Sequence, residues 1–212
     1  MIYQLKDCRT GGEAVYNTTV EITEKDNTLT FRFVAEHSAY YCPHSGYNQI
    51  HSEGDACEIL IGADPNRQHY YEIEISPKND LMVALMDYNG EDEKDEPILN
   101  INFVEDCFVT SNVTLTEGGY IAEVSFNKDA VRKGLGDICY DGEIYFNAYR
   151  LETDGGEMDK HLFAMNPTMR HKFHTPEYYV YLKDYVKYIC DFITATACVD
   201  LVSNVCMQFL VS

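Results

Sequence analysis

Three glutamates raise the first chemical question. Glu58, Glu72 and Glu74 sit in two short runs, Cys57–Ile61 and Tyr71–Ile75, in which apolar and polar residues alternate. Period two is the pattern of a half-buried strand, so the glutamates share one face while Cys57, Ile59, Ile61, Tyr71, Ile73 and Ile75 share the other. The turn former Asp64-Pro65-Asn66 lies between the runs. Together they predict an antiparallel hairpin across Gly54–Pro77 with one dry face and one acidic face. Carboxylates facing one another across neighbouring strands could act on a glycosidic bond, which needs two of them at about 5–9 Å. No hydrolase motif accompanies them, so the chain reads as non-enzymatic, with no catalytic residue. The glutamates read instead as partners for arginines or as the polar wall of a binding site.

Other reactive side chains give no metal or cofactor set. His37, Cys42, His44, His51 and Cys57 match no standard zinc spacing. His171 and His174 fall on opposite faces of an extended segment. The charge run Glu91–Glu96 lacks calcium-ligand spacing and reads as a solvated loop tip. Eight cysteines in 212 residues, without a CxxC pair, are too sparse for a disulfide scaffold and read as reduced thiols.

The elements that must position these residues are mostly strands. Val15–Ile22 and Leu29–Ala35 alternate around the charged turn Glu24–Asn27 and form a first hairpin. Leu81–Tyr88 is apolar on both faces and reads as an interior strand. Ile98–Phe103, Cys107–Leu115, Tyr120–Phe126, Glu143–Leu151 and Tyr178–Leu182 read as further strands. Asn127–Leu135, opened by an asparagine cap and closed by glycine, reads as one short helix. Residues 1–13 are short and polar, broken at Gly11-Gly12, and 157–182 are mixed up to the final strand. About ten short strands at near-regular spacing predict an all-β fold, a two-sheet antiparallel β-sandwich over residues 1–183. Residues 184–212 form an apolar extension, read as a helix. Asp200 near its centre argues against membrane spanning, and self-association is one role open to it.

The order of motifs carries a resemblance. GDACEILIG is followed by YYEIEISP, GGYIAEVSFNKDAV, IYFNAYRLE and HLFAMNPTMRHKFHTPEYYVYL. This series resembles the family-9 carbohydrate-binding module over about residues 14–182. The resemblance implies a β-sandwich that binds a saccharide, often beside a glycoside hydrolase in carbohydrate catabolism. It matches Arg150 to the arginine of the family's N-x-y-R strand, and His174 and Glu177 to its closing h-x-P-E segment.

Saccharide recognition needs a flat apolar face for the ring's C–H patch and fixed polar groups for its hydroxyls. Tyr40, Tyr41 and Tyr47, in the long segment 36–53, could supply the face or pack that segment onto the sandwich. Arg150 shares a strand face with Ile144, Phe146 and Ala148, and either contacts ligand or pairs with Glu58, Glu72 or Glu74. Asn147 and Tyr149 lie on the opposite face and complete the candidate ligand-binding set. The chain contains no tryptophan, the residue such modules commonly stack on sugars. That supports an alternative, a structural or interaction sandwich that has lost sugar binding. The net charge of −19, with only 16 lysines and arginines, argues against a nucleic-acid partner, which needs phosphate neutralisation, and against an anionic membrane surface. The start, MIYQLKDCRT, lacks a secretory pattern, which points to a cytoplasmic protein.

Overall fold

The computed structural model describes residues 2–37, 39–49, 53–133, 143–156 and 160–184. Among these, thirteen strands build two antiparallel sheets. The first runs in the order β1 (Ile2–Gln4), β3 (Thr18–Lys25), β4 (Thr28–Glu36), β10 (Gly119–Asn127) and β9 (Val109–Thr116). The second runs β2 (Lys6–Asp7), β12 (His161–Ala164), β11 (Tyr145–Glu152), β5 (Ala56–Gly62), β6 (His69–Ile75), β7 (Leu81–Glu91) and β8 (Pro97–Phe103). A short strand β13 (Val180–Tyr181) pairs with the start of β11. The helix α1 (Lys128–Lys133) follows β10, and the Asn127 side chain accepts a hydrogen bond from the Asp129 N–H at its start.

Alternation builds the core. In the first hairpin Thr18, Val20 and Ile22 pair with Ala35, Phe33 and Phe31, and all six are buried. Asp26 and Asn27 make the tight connection with positive φ values of 49° and 65°, which suits the right-handed twist of the strands. Facing them across the sandwich are Cys57, Ile59 and Ile61 of β5, Tyr71, Ile73 and Ile75 of β6, and Phe146 and Ala148 of β11. This is the dry face that period two predicts for the Gly54–Pro77 hairpin.

Three elements differ from expectation. The polar start of the chain is not a free lead: β1 and β2 pair with opposite sheets, too short to show alternation. The mixed stretch hides β12, and the strand expected over Tyr178–Leu182 is cut to Val180–Tyr181 by a 3₁₀ turn at Pro176–Tyr178. The helix expected in the tail, and the self-association assigned to it, lie outside the described residues.

The outer face of the second sheet is also covered. Phe173 and Tyr179, from the segment that follows β12, join Leu60, Tyr70, Ala84, Met86, Tyr145 and Tyr149 in a second apolar cluster. The acidic face is therefore roofed, with its glutamates buried beside this cluster.

Candidate functional site

Residues 165–179 act as a strap across that outer face, and β11 anchors it. Asn147 is fully buried: its Nδ2 donates to the Asn166 carbonyl at 2.8 Å and to Tyr149 Oη at 2.9 Å, and its Oδ1 accepts the Asn166 N–H at 3.0 Å. Tyr149 donates to the Phe173 carbonyl at 3.1 Å and stacks on the Phe173 ring at 4.3 Å. From the β5–β6 connection the strap is held by Arg67, whose Nη1 donates to the carbonyls of Pro176 and Tyr179 at 2.8 and 3.0 Å. At its far side Arg170 and Lys172 both reach Glu91 Oε1 at 2.6 Å. Asn147 and Tyr149, expected on a ligand, thus spend their polar atoms on the strap.

Arg150 points the other way, between the sheets, and is 0% exposed. Its register partner is Cys57, whereas Tyr149 pairs with Glu58, so Arg150 and the three glutamates lie on opposite faces of the sheet. The pairing considered with Glu58, Glu72 or Glu74 is therefore corrected: Arg150 pairs with Glu152. Its Nη1 also donates to Thr18 Oγ1 at 2.7 Å and to the Glu36 carbonyl at 3.0 Å, and the guanidinium lies over the Tyr120 and Phe163 rings. This knot ties β11 to β3 and β4 across the sandwich. Burial pushes the Glu152 carboxyl up to about 7 against the downward pull of Arg150 and the Asp154 N–H. His37 Nδ1 stands 3.1 Å from Glu152, and Asp55 accepts from the Thr153 N–H and hydroxyl at 2.8 and 2.7 Å.

The acidic face holds the second polar group. Glu58 lies directly opposite Glu74 in register, and Glu72 is the next residue on the same face of β6. They are 4%, 4% and 6% exposed, with one carboxylate oxygen from each lying within 4.8 Å of the others. Burial, then the charges of Glu74 and Glu72, push the Glu58 carboxyl well above the usual carboxylate range. His174 Nε2 stands 3.4 Å from Glu72 Oε1, and Tyr70 Oη is 3.0 Å from His174 Nδ1. Glu177 is exposed on the 3₁₀ turn.

The rim of this face is the segment that carries the tyrosines. Asp55 Oδ2 accepts the Tyr41 N–H, and the Asp55 N–H donates back to the Tyr41 carbonyl, both at 2.8 Å. The Tyr41 ring lies against Gly156, where an added Cβ would come within 3.0 Å of it. Further along, Asn48 bridges strand ends, donating to the Val104 carbonyl at 3.0 Å and accepting the Val83 N–H at 3.0 Å. Tyr47 donates to the Val104 carbonyl at 2.7 Å. The rim thus runs from the end of β11 past the start of β7 to the end of β8. Tyr40, Tyr41 and Tyr47 remain 42%, 40% and 41% exposed along it. Phe103, just before Val104, is 41% exposed and shares the outer face of Glu72 through the register Glu72–Ala84–Phe103. An open cleft of about 580 Å³ near the first strands, lined by Gln4, Lys6, Gly11, Gly12 and Asn17 among others, has no aromatic wall.

The architecture matches solved structures. A protein from Bacteroides uniformis described as carbohydrate-binding superposes with a TM-score of 0.65 at 12% identity, over 84% of each chain. A family 9 carbohydrate-binding module from Caldicellulosiruptor kristjanssonii, in complex with glucose, superposes with a TM-score of 0.50 at 14% identity, over 84% of this chain and 82% of that one. The fold is that of a carbohydrate-binding module. No protein-family profile matches the chain, and no curated protein does. Within this module fold, sequence reasoning misses two parts of the site. Phe103 shows only as one apolar residue of a predicted strand, and the strap has no periodicity by which to find it. The signal for Phe103 is the alternation of Leu99, Ile101 and Phe103 on one face of β8.

Proposed function

We propose that this chain is a non-catalytic carbohydrate-binding domain whose ligand rests on the tyrosine rim of the second sheet. The observation that carries this reading is the row of exposed aromatic side chains, Tyr40, Tyr41, Tyr47 and Phe103, along one end of a module-like sandwich. Aromatic faces of this kind stack on the C–H side of a pyranose, and phenol hydroxyls and loop amides meet its hydroxyls. The glucose complex of the Caldicellulosiruptor module supports a saccharide as the ligand class. Arg150, Asn147 and Tyr149 serve the site from behind, holding the strands and the strap that frame it.

A glycan array followed by calorimetry on the full chain tests the proposal. Saturable binding to at least one saccharide is expected, weakened roughly 3- to 10-fold by Tyr40→Ala, Tyr47→Ala or Phe103→Ala. Binding unchanged in all three variants would move the site elsewhere. A folded protein that binds nothing on the array would favour the second reading, an interaction sandwich. That reading has its own observation: Ile101 and Phe103 are exposed on one face of edge strand β8, a surface suited to another protein.

A further inference from the structure

We propose that His37, Asp55 and Glu152 form a binding site for one divalent transition-metal ion, of the zinc or manganese class. The site lies where the two sheets meet and does not depend on the saccharide reading.

The imidazole is the group that calls for a ligand. His37 follows β4 of the first sheet directly and is more than nine-tenths buried. A neutral imidazole brings one N–H and one lone pair, and buried groups of that kind are as a rule hydrogen-bonded. Neither ring nitrogen of His37 makes a hydrogen bond among the described residues. Tyr16, packed edge-on against the ring at 5.2 Å, spends its hydroxyl on Asp154. The ring is nonetheless aimed at polar atoms: one nitrogen and one oxygen each of Asp55 and Glu152 all lie within 4.8 Å of one another. Nδ1 stands 3.1 Å from Glu152 Oε1 without the alignment of a hydrogen bond. Two donor atoms that close, side by side and unbonded, are spaced as neighbouring ligands of one ion are. Bonds of about 2.0–2.2 Å to zinc set such neighbours roughly 3–4 Å apart.

The carboxylates have lone pairs left for the ion. Asp55 Oδ1 accepts both the N–H and the hydroxyl of Thr153, but Oδ2 accepts only the Tyr41 N–H. Glu152 Oε2 takes Arg150, and Oε1 takes the Asp154 N–H. A carboxylate oxygen carries two lone pairs, so Asp55 Oδ2 and Glu152 Oε1 each keep one. Arg150 offsets only one of the two carboxylates, which leaves a negative charge for the ion to meet. One imidazole beside two carboxylates selects borderline divalent ions over calcium, which takes oxygen alone, and over copper(I), which seeks sulfur. Arg150, Thr153 and the Tyr41 N–H then act as the outer donors that orient the ligating carboxylates. Glu152 ends β11 and Asp55 immediately precedes β5, both of the second sheet, so the ion would staple that sheet to the first. Ligands gathered from three strand ends this far apart in the chain leave no spacing motif.

The test uses the full chain, stripped with chelator and titrated with manganese(II) under electron paramagnetic resonance. A parallel titration with cobalt(II), a stand-in for zinc, is followed by absorbance. One saturable site is expected, with nitrogen coupling from one imidazole in the manganese spectrum and no thiolate charge-transfer band in the cobalt spectrum. His37→Gln and Asp55→Asn should each weaken binding by roughly 10-fold or more. Glu58→Gln and His44→Gln should leave it unchanged. Equal binding by wild type and either ligand variant would overturn the proposal. Two results on the wild-type chain, which need no variant to fold, would also overturn it: no saturable binding of either metal, or a saturable site without nitrogen coupling.

Discussion

At the scale of single residues, Arg150 is the most committed side chain of the molecule. It reaches Thr18, Glu36 and Glu152 from a position with no exposure, so its loss strands a carboxylate in the interior. Removing one member of a buried pair costs about 3–5 kcal/mol, whereas replacing both by apolar groups of similar size is often neutral. Arg150→Ala is therefore expected to lower unfolding free energy by about that amount in urea titrations. The pair replacement Arg150→Met with Glu152→Leu should recover most of the loss. A loss under about 1 kcal/mol for the single variant would show that Arg150 is a spectator. The face that Arg150 occupies is legible in the sequence, because period two puts it with Phe146 and Ala148. Its partners are not. Thr18 and Glu36 come from the other sheet, and no local pattern reports which strands of two sheets meet.

At the scale of elements, the strap decides whether the outer face of the second sheet is closed. Its far end is latched by one carboxylate, Glu91, which both Arg170 and Lys172 contact. Hydrogen bonds from Lys172, and then from Arg170, hold the Glu91 carboxyl below its ordinary value near 4.5. A depressed carboxylate contributes stability above its unfolded pKa and loses it as pH falls through the folded one. The latch should thus hold at neutral pH and open below pH 4.5. Glu91→Gln is expected to lower the melting temperature at pH 7 by roughly 1–3 °C, since partly exposed pairs are worth little. It should also speed hydrogen exchange in residues 166–178, with the difference from wild type vanishing in acid. A difference that persisted in acid would assign the effect to something other than the charge. The strap shows why some elements are legible and others are not. The strands β3, β4, β5, β6 and β10 announce themselves by alternation because one face meets the core. Residues 165–179 fold by spanning a surface made elsewhere, with Pro167 and Pro176 setting turns, and such a path leaves no period.

At the scale of the whole molecule, a net charge of −19 makes self-repulsion a general term. Raising sodium chloride from roughly 20 to 300 mM shortens the screening length to within a few side-chain diameters and should raise the melting temperature. A fall would mean that surface ion pairs such as Lys128–Glu24 outweigh the repulsion. The two-sheet architecture is legible in the spacing of strands and turns, but the assignment of strands to sheets is not, and it has a consequence for biosynthesis. Every strand of the first sheet lies at or before Asn127, so that sheet can be complete while synthesis continues. The second sheet must wait: β5 lacks its neighbour until Tyr145–Glu152 emerges, β2 until His161–Ala164, and the strap comes later still. A ribosome-bound chain at that stage carries one finished sheet, one with an open central edge, and three glutamates still in water. Hydration keeps those glutamates charged, and charge on an unpaired edge is the means by which strands avoid wrong partners. The same acids that are costly in the finished sandwich would then guard it against misassembly on the way there.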